Sequence, residues 1–499
     1  MELATGKLAS VDVVIIIVYL AGITALGGFL GRFIKTDRDF FLGGRNLPWW
    51  AIGMSIVVSD IGALELVGLA GAAYTYGIAV ANFDWIGCIP ALVLAAFIFI
   101  PFYWRSKVFT IPELLGKRYN QFVRLLVALI WGVVFLFQLG IFFYTAAITM
   151  NILCGWPVYF SIILTALVVG LYTYFGGLAA VVYSDAIQCV VLFAGSLIIL
   201  AIAFFKVGGY SELTASVTSI GAGYEHHFDL LVPADSPTPF GWACVLFGLT
   251  FILSPAYWFG NQAIVQRTLG ARNEHEAKKS VLLASFLKLF IPVILIAPGL
   301  AGIVLHPSLG NGDDIYPTLI HDLLPPGLTG IVFAAFLAAL MSSVDSYLNS
   351  ASTLWTKDIY EKFIMPGRSE RHYMLVGRAL VLVFVVVGVI LAPLTGRFPS
   401  IFGYMVTMYS VFQGPLLAIL VLGLLWRRAN APGAIAGLFM GVGTSATLFW
   451  VQDVLFTCPE PYLYVAWWGF LSGLVATVAV SLVTKPPKGV EKYIIPHYS

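Results

Sequence analysis

Trp49-Trp50-Ala51-Ile52-Gly53-Met54-Ser55-Ile56-Val57-Val58-Ser59-Asp60-Ile61-Gly62-Ala63-Leu64-Glu65 reads as a membrane helix that loses its apolar character half-way. Ser-Asp-Ile-Gly and then a glutamate fall where hydrocarbon should surround the chain. A second such stretch, Leu253-Ser254-Pro255-Ala256-Tyr257 followed by Gly260-Asn261-Gln262, lies two hundred residues on. Glycine and proline weaken the helical hydrogen-bond ladder, and irregular backbone at membrane depth is tolerated only where it is buried in protein or lines a cavity. For either stretch alone a proline kink or a packing glycine is explanation enough. Their positions, in the second and seventh apolar segments, point further, because paired interruptions in corresponding halves mark the binding site of a secondary transporter.

The rest of the chain fits that frame. Of 499 residues, 60% are hydrophobic and 10% charged, whereas soluble domains carry about 25% charged residues. Mean hydropathy is +0.93, and apolar runs repeatedly reach the roughly 20 residues that span a bilayer. Continuous runs, rather than alternating strands of about ten residues, exclude a β-barrel. The expectation is an all-α polytopic membrane protein of about thirteen helices. They fall near 11–33, 48–75, 79–104, 121–150, 156–175, 183–206, 239–262, 280–305, 326–356, 373–395, 399–426, 430–452 and 462–484. These are called segments one to thirteen below.

The chain reads as one transmembrane domain over 1–499. Segment one (11–33) is an extra N-terminal helix, 48–206 and 239–426 are two five-helix repeats of opposite orientation, 430–484 adds two helices, and 485–499 is a short tail. Segment one lacks a basic n-region and runs longer than a cleavable apolar core, so it reads as retained. Basic residues concentrate on one side, among them Arg32, Arg45, Lys117, Arg118, Arg124, Arg267, Lys357, Arg427 and Lys485. The positive-inside rule then sets the N-terminus out and the C-terminus in. This places the protein in the cell membrane (inner or plasma), crossing it many times, with the lipid bilayer as its solvent.

Net charge is +2 and no basic stretch interleaves with exposed aromatics, so nucleic acid is not a partner. No obligatory protein partner is implied. Cys88, Cys154, Cys189, Cys244 and Cys458 are scattered without CxxC spacing and read as packing residues. The histidines, His497 among them, fall in or beside loops, which speaks against an imidazole metal site. HExxH, GxSxG and GxxxxGK[ST] are absent, so an enzyme embedded in the membrane is the weaker reading. A transporter-derived sensor is weaker too, given the short tail.

Charges inside the spans carry the functional reading. Asp60, Glu65, Asp84, Asp185, Lys288 and Asp345 would each cost about 2.5–3.5 kcal/mol at a lipid-facing helix centre, so they belong to the bundle interior. Asp84 and Asp185 also suit an interfacial capping role. Segment nine adds a polar stripe, with Ser342, Ser346 and Asn349 at i, i+4 and i+7 and Ala339 extending the same face. Small hydroxylated faces also serve close helix packing. With an adjacent carboxylate and freed carbonyls near Val58 and Ile61, the hard oxygen set suits a small alkali cation.

Phe41-Leu42-Gly43-Gly44-Arg45, Gly176-Gly177-Leu178 with Asp185 to Gln188, Gln266-Arg267, Ala339-Leu340-Met341-Ser342-Ser343, Asn349-Ser350-Ala351-Ser352 and Trp426-Arg427-Arg428 follow one another in an order that resembles the sodium/solute symporter family. The resemblance covers nearly the whole chain and takes in its sodium/glucose, sodium/proline and sialic-acid branches. It implies a LeuT-type 5+5 inverted repeat, alternating access and Na+ as the coupling ion. By this resemblance a sodium site uses carbonyls of Val58, Ile61 and Ala339 and hydroxyls of Ser342 and Ser343, with Asp60 in support. A second sodium site uses Asp185, Ser342, Asp345 and Ser346. Solute contacts fall on Glu65, Asp84, Ser254, Tyr257 and Lys288. Three positions depart from the sugar branch: Glu65 stands for Gln or His, Ser254 for Asn, and Val406 for Gln. The expected activity is sodium-driven import of a small polar solute, a sugar or polyol first. An amino acid or other organic solute, and proton coupling, remain the rivals.

Overall fold

The computed structural model describes residues 8–221, 223–236, 238–398, 401–456 and 461–495. Cys458 and His497 lie outside them. Among the described residues eleven helices are long and apolar enough to cross a membrane. The pair Trp49–Asp60 and Ala63–Tyr76, bent by 55° at its break, makes a twelfth span, and a shorter apolar helix covers Val158–Gly170.

Segment nine is the axis of the bundle. Every residue from Val332 to Leu354 is buried, against the partly lipid-facing Glu370–Thr395 helix of segment ten. Its hydroxyls and carboxylate therefore never meet lipid. Segment one holds it from outside the core: Asp12 Oδ1 accepts the Gly327 and Gly330 backbone N–H groups at 2.7 and 2.8 Å. That carboxylate satisfies donors that a helix start leaves open and favours the positive end of the helix dipole.

Segments five and six are not separated by a loop. They form Val158–Val207, one helix bent at Gly177, whose φ of 52° is left-handed and closed to most side chains. Segment two breaks as its sequence suggests. Helix Trp49–Asp60 ends, Ile61 leaves the helical region at φ −97° and ψ 78°, and Gly62 restarts the chain. Gly62 is also required by space, since a Cβ there would come within 2.3 Å of Ser343 Oγ.

Segment seven departs from expectation. Pro255 does not open it: the helix runs from Trp242 to Gly260, with a π-helical stretch over Val245–Leu253 just before the proline. The wider turn accommodates a residue with no N–H to donate. The actual interruption is at Asn261, which turns extended and caps the short helix Gln262–Leu269 through Oδ1 to Ala263 N–H at 2.8 Å. Segment three likewise carries a π-helical stretch, Phe83–Cys88, which includes Asp84.

Candidate solute cavity and cation site

Segment eight places the first charge. Its helix Glu274–Lys288 stops two residues before a new helix starts at Ile291, and Pro292 supplies no N–H to the ladder. In the turn between the two helices Trp85 donates its indole N–H to Leu289 O at 3.1 Å. Lys288 thus sits at a helix end inside the bundle, where the dipole favours a cation. Its ammonium pairs with Asp60 and, at 2.6 Å, with Asp84, and lies 5.7 Å from the Trp258 ring centre. Cys88 stands close to both carboxylates, but the cation that joins them is the lysine.

These groups open onto a cavity walled by segments two, three, seven, eight and eleven. Glu65, Ser254, Tyr257, Lys288 and Asp84 all line it, as does Val406. The five expected solute contacts therefore meet in one place. Glu65 has a second task, since its Oε2 accepts the Gly62 N–H at 2.8 Å and caps the restarted half of segment two. Tyr257 leads into a hydroxyl chain, 3.4 Å to Tyr347 and then 2.6 Å on to Tyr409. Tyr347 lies on segment nine, one turn beyond Ser343.

The oxygens expected to hold sodium sit behind the same break. Ser342 Oγ donates within 2.8 Å of Val58 O and 2.9 Å of Ala339 O, and Ser343 Oγ lies 3.2 Å from both Ser59 O and Ala339 O. Five neutral hard oxygens converge, all from buried residues. Such a set fits a monovalent cation that sheds its water, whereas a dication favours carboxylates. Ile61 marks the break. Asp60, expected to support this cluster, instead turns its carboxylate to Lys288, because the helix end points it into the cavity.

Asp185, Asp345 and Ser346 form a third group, and here the structure adds a residue. Arg267 was counted above among the cytoplasmic charges, yet it is 1% exposed. Its guanidinium donates to Ser55 Oγ at 2.7 Å, to Ser59 Oγ at 2.6 Å, and to Ser346 Oγ and Ala263 O. Asp185 Oδ2 accepts from Ser55 at 2.6 Å and Ser59 at 3.1 Å and lies 3.6 Å from Arg267. Ser346 Oγ is 3.2 Å from Asp345 Oδ1 and 2.9 Å from Ser59 Oγ. The proposed second sodium ligands are thus adjacent, with a guanidinium among them. Among the described residues Ser342 is hydrogen-bonded to this group through its carbonyl, which accepts from Ser346 Oγ.

The sodium:solute symporter family model matches residues 40–441. The chain belongs to that family. It is 31% identical to the sodium/glucose cotransporter of Vibrio parahaemolyticus, over 87% of this chain and 84% of that one. It is 35% identical to a sodium/mannose cotransporter of Bos taurus, over 97% and 88%. The structure superposes on a Na+-coupled sialic acid symporter with a TM-score of 0.85 at 24% identity, covering 96% of this chain and 99% of that one, which shows the LeuT-type fold. These homologues are sodium-coupled transporters, not enzymes, and the chain is a multi-pass membrane protein of the same kind.

Within this family member, the cavity also takes in residues that the sequence reading did not single out: Phe83, Phe402, Met405, Tyr409 and Gln413. On segment eleven, Phe402, Met405, Tyr409 and Gln413 follow a helical spacing that also contains Val406, so the periodicity held the signal. Without knowing which face turned inward, that signal gave no reason to choose them.

Proposed function

We propose that the chain is a sodium-coupled symporter that imports a small, neutral, polyhydroxylated solute by alternating access. One observation carries this reading: the broken segment two supplies Val58 O to the cation cluster and Asp60 and Glu65 to the cavity. Cation and solute share one broken helix, so filling either site biases the same element, which is what coupling requires. The sugar-transporting relatives favour a hexose or polyol. The topology proposed with it has thirteen spans, Val158–Gly170 being the thirteenth, N-terminus out and C-terminus in, and inverted repeats over 48–206 and 239–426.

The test is uptake of D-glucose, D-mannose and myo-inositol into proteoliposomes under an imposed sodium gradient at constant pH. Uptake of at least one is expected, and it should vanish without sodium. Equal uptake under a proton gradient alone contradicts the coupling assignment. A second reading is favoured by one observation: Asp60, Glu65 and Asp84 outnumber Lys288 around the cavity. An amine-bearing solute balances that count, and D-glucosamine or an amino acid accumulated in preference to the neutral solutes selects this reading.

A second sodium ion per cycle is proposed at Asp185, Asp345 and Ser346. Asp185 and Asp345 are both buried there, with the Ser346 hydroxyl 3.2 Å from Asp345 Oδ1 and the Ser342 carbonyl accepting from it, a set of hard oxygens that suits a monovalent cation. A measured ratio of one sodium per solute, unchanged in Asp185→Asn, removes it.

A further inference from the structure

The wall that segment eleven gives the cavity is mostly apolar. Phe402, Met405 and Val406 come first, then Tyr409, then Gln413. The Tyr409 hydroxyl is already engaged with Tyr347 at 2.6 Å. Gln413 is different. It is 1% exposed, and its Nε2 has no hydrogen-bond partner among the described residues. An amide donor buried without a partner costs about 1–3 kcal/mol, so its retention asks for a ligand that repays it.

Segment three holds the complementary group. Asp84 is 2% exposed, its Oδ1 is taken by Lys288, and its Oδ2 has no partner. Among the described residues that line the cavity, the fully buried polar atoms left without a partner are thus a donor, Gln413 Nε2, and an acceptor, Asp84 Oδ2, on different helices. A solute that satisfies both must accept at one point and donate at another. A hydroxyl group does either. A carboxylate solute would bring like charge to Asp84, and a simple amine has nothing to offer the Gln413 donor.

We infer that Gln413 is a specificity-determining residue, donating from Nε2 to a hydroxyl oxygen of a neutral polyhydroxylated solute while Asp84 Oδ2 accepts from another hydroxyl. Gln413 lies seven residues beyond Val406, roughly 10 Å along the helix. The solute is therefore gripped towards the C-terminal end of this wall, and the Val406 level contributes only apolar contact. The inference rests on the cavity being the solute site, as proposed above.

The experiment compares unmodified protein, Gln413→Leu and Gln413→Glu in proteoliposomes, using D-glucose, D-mannose and myo-inositol as probes. Leucine removes the donor at similar size, and glutamate keeps the shape but turns the donor into an acceptor. For whichever probe the unmodified protein transports, both variants should raise KM about 10-fold to 100-fold, with half-saturation by sodium within about twofold. Sodium-dependent thermal stabilisation reports that each variant is folded, and Gln413→Glu carries the test if Gln413→Leu fails that check. An unchanged KM in a folded variant overturns the role of Gln413 and leaves the symport reading intact. Absence of sodium-dependent uptake of all three probes by the unmodified protein overturns the polyol reading, and this inference with it.

Discussion

Lys288 and Arg267 are both cations withdrawn from water, 2% and 1% exposed, and they are held by opposite means. Lys288 is clasped by two carboxylates at the edge of a cavity, and one of those, Asp84, keeps a buried oxygen without a hydrogen-bond partner. Arg267 spreads its planar fork over Ser55, Ser59, Ser346 and Ala263 O, with Asp185 behind them at 3.6 Å. A compact ammonium suits a site whose partners change, whereas a guanidinium with fixed donors suits a strut. Under the proposed function Lys288 therefore belongs to the solute, and Arg267 to the framework that holds segments two, six, seven and nine around the break.

Removing each cation should break the molecule differently. Arg267→Met leaves Asp185 without its cation and three hydroxyls without their donor, and breaking a buried pair in this way costs about 3–5 kcal/mol. The largest effect on stability is expected here, a melting temperature lowered by about 3–5 degrees for a chain of this length, only partly restored by Arg267→Lys because the fork is lost. A melting temperature near that of the unmodified protein would dissolve the distinction.

Lys288→Met should act on transport before fold. Uptake is expected to fall about 100-fold, the range for a site left with unpaired polar groups, while sodium still raises the melting temperature. Loss of the sodium effect together with uptake would show that Lys288 also holds the cation cluster together.

A smaller effect sharpens the contrast between these sealed charges and one outside the membrane. Asp313, in the loop after segment eight, accepts the Ile401 N–H at 3.1 Å and so caps the helix that walls the cavity. Burial pushes its carboxyl up from 3.8 to about 6. Because the folded state holds this proton more tightly than the unfolded state, stability falls as pH rises between about 4 and 6. The melting temperature should drop by a few degrees across that window, and Asp313→Asn should flatten the drop. A drop of the same size in Asp313→Asn would assign it to another group.

How much of this was legible depended on how local the cause was. The break in segment two lies in its own residues: Ile61 and Gly62 interrupt the ladder, and Glu65, three residues past Gly62, caps the restart. Pro255 looked equivalent, but the turns before it widen and carry the helix on to Gly260, an outcome set by packing. Arg267 was hidden for the same reason. It follows the end of a span, as loop arginines do, and only the turn at Asn261 sends its short helix back into the protein. Asp60 was placed with the sodium ligands by the family resemblance, while the direction of its side chain depends on Lys288, far away in the chain.

The central claim is that the hydroxyl of Ser342, set against Val58 O and Ala339 O, binds the ion that drives uptake. The most direct measurement is the sodium dependence of solute uptake in proteoliposomes at constant pH, for unmodified protein and Ser342→Ala. The account predicts saturable dependence on sodium in the first, and in the second a half-saturation raised about 10-fold or more with the protein still folded. Uptake with the same sodium half-saturation in Ser342→Ala would contradict it.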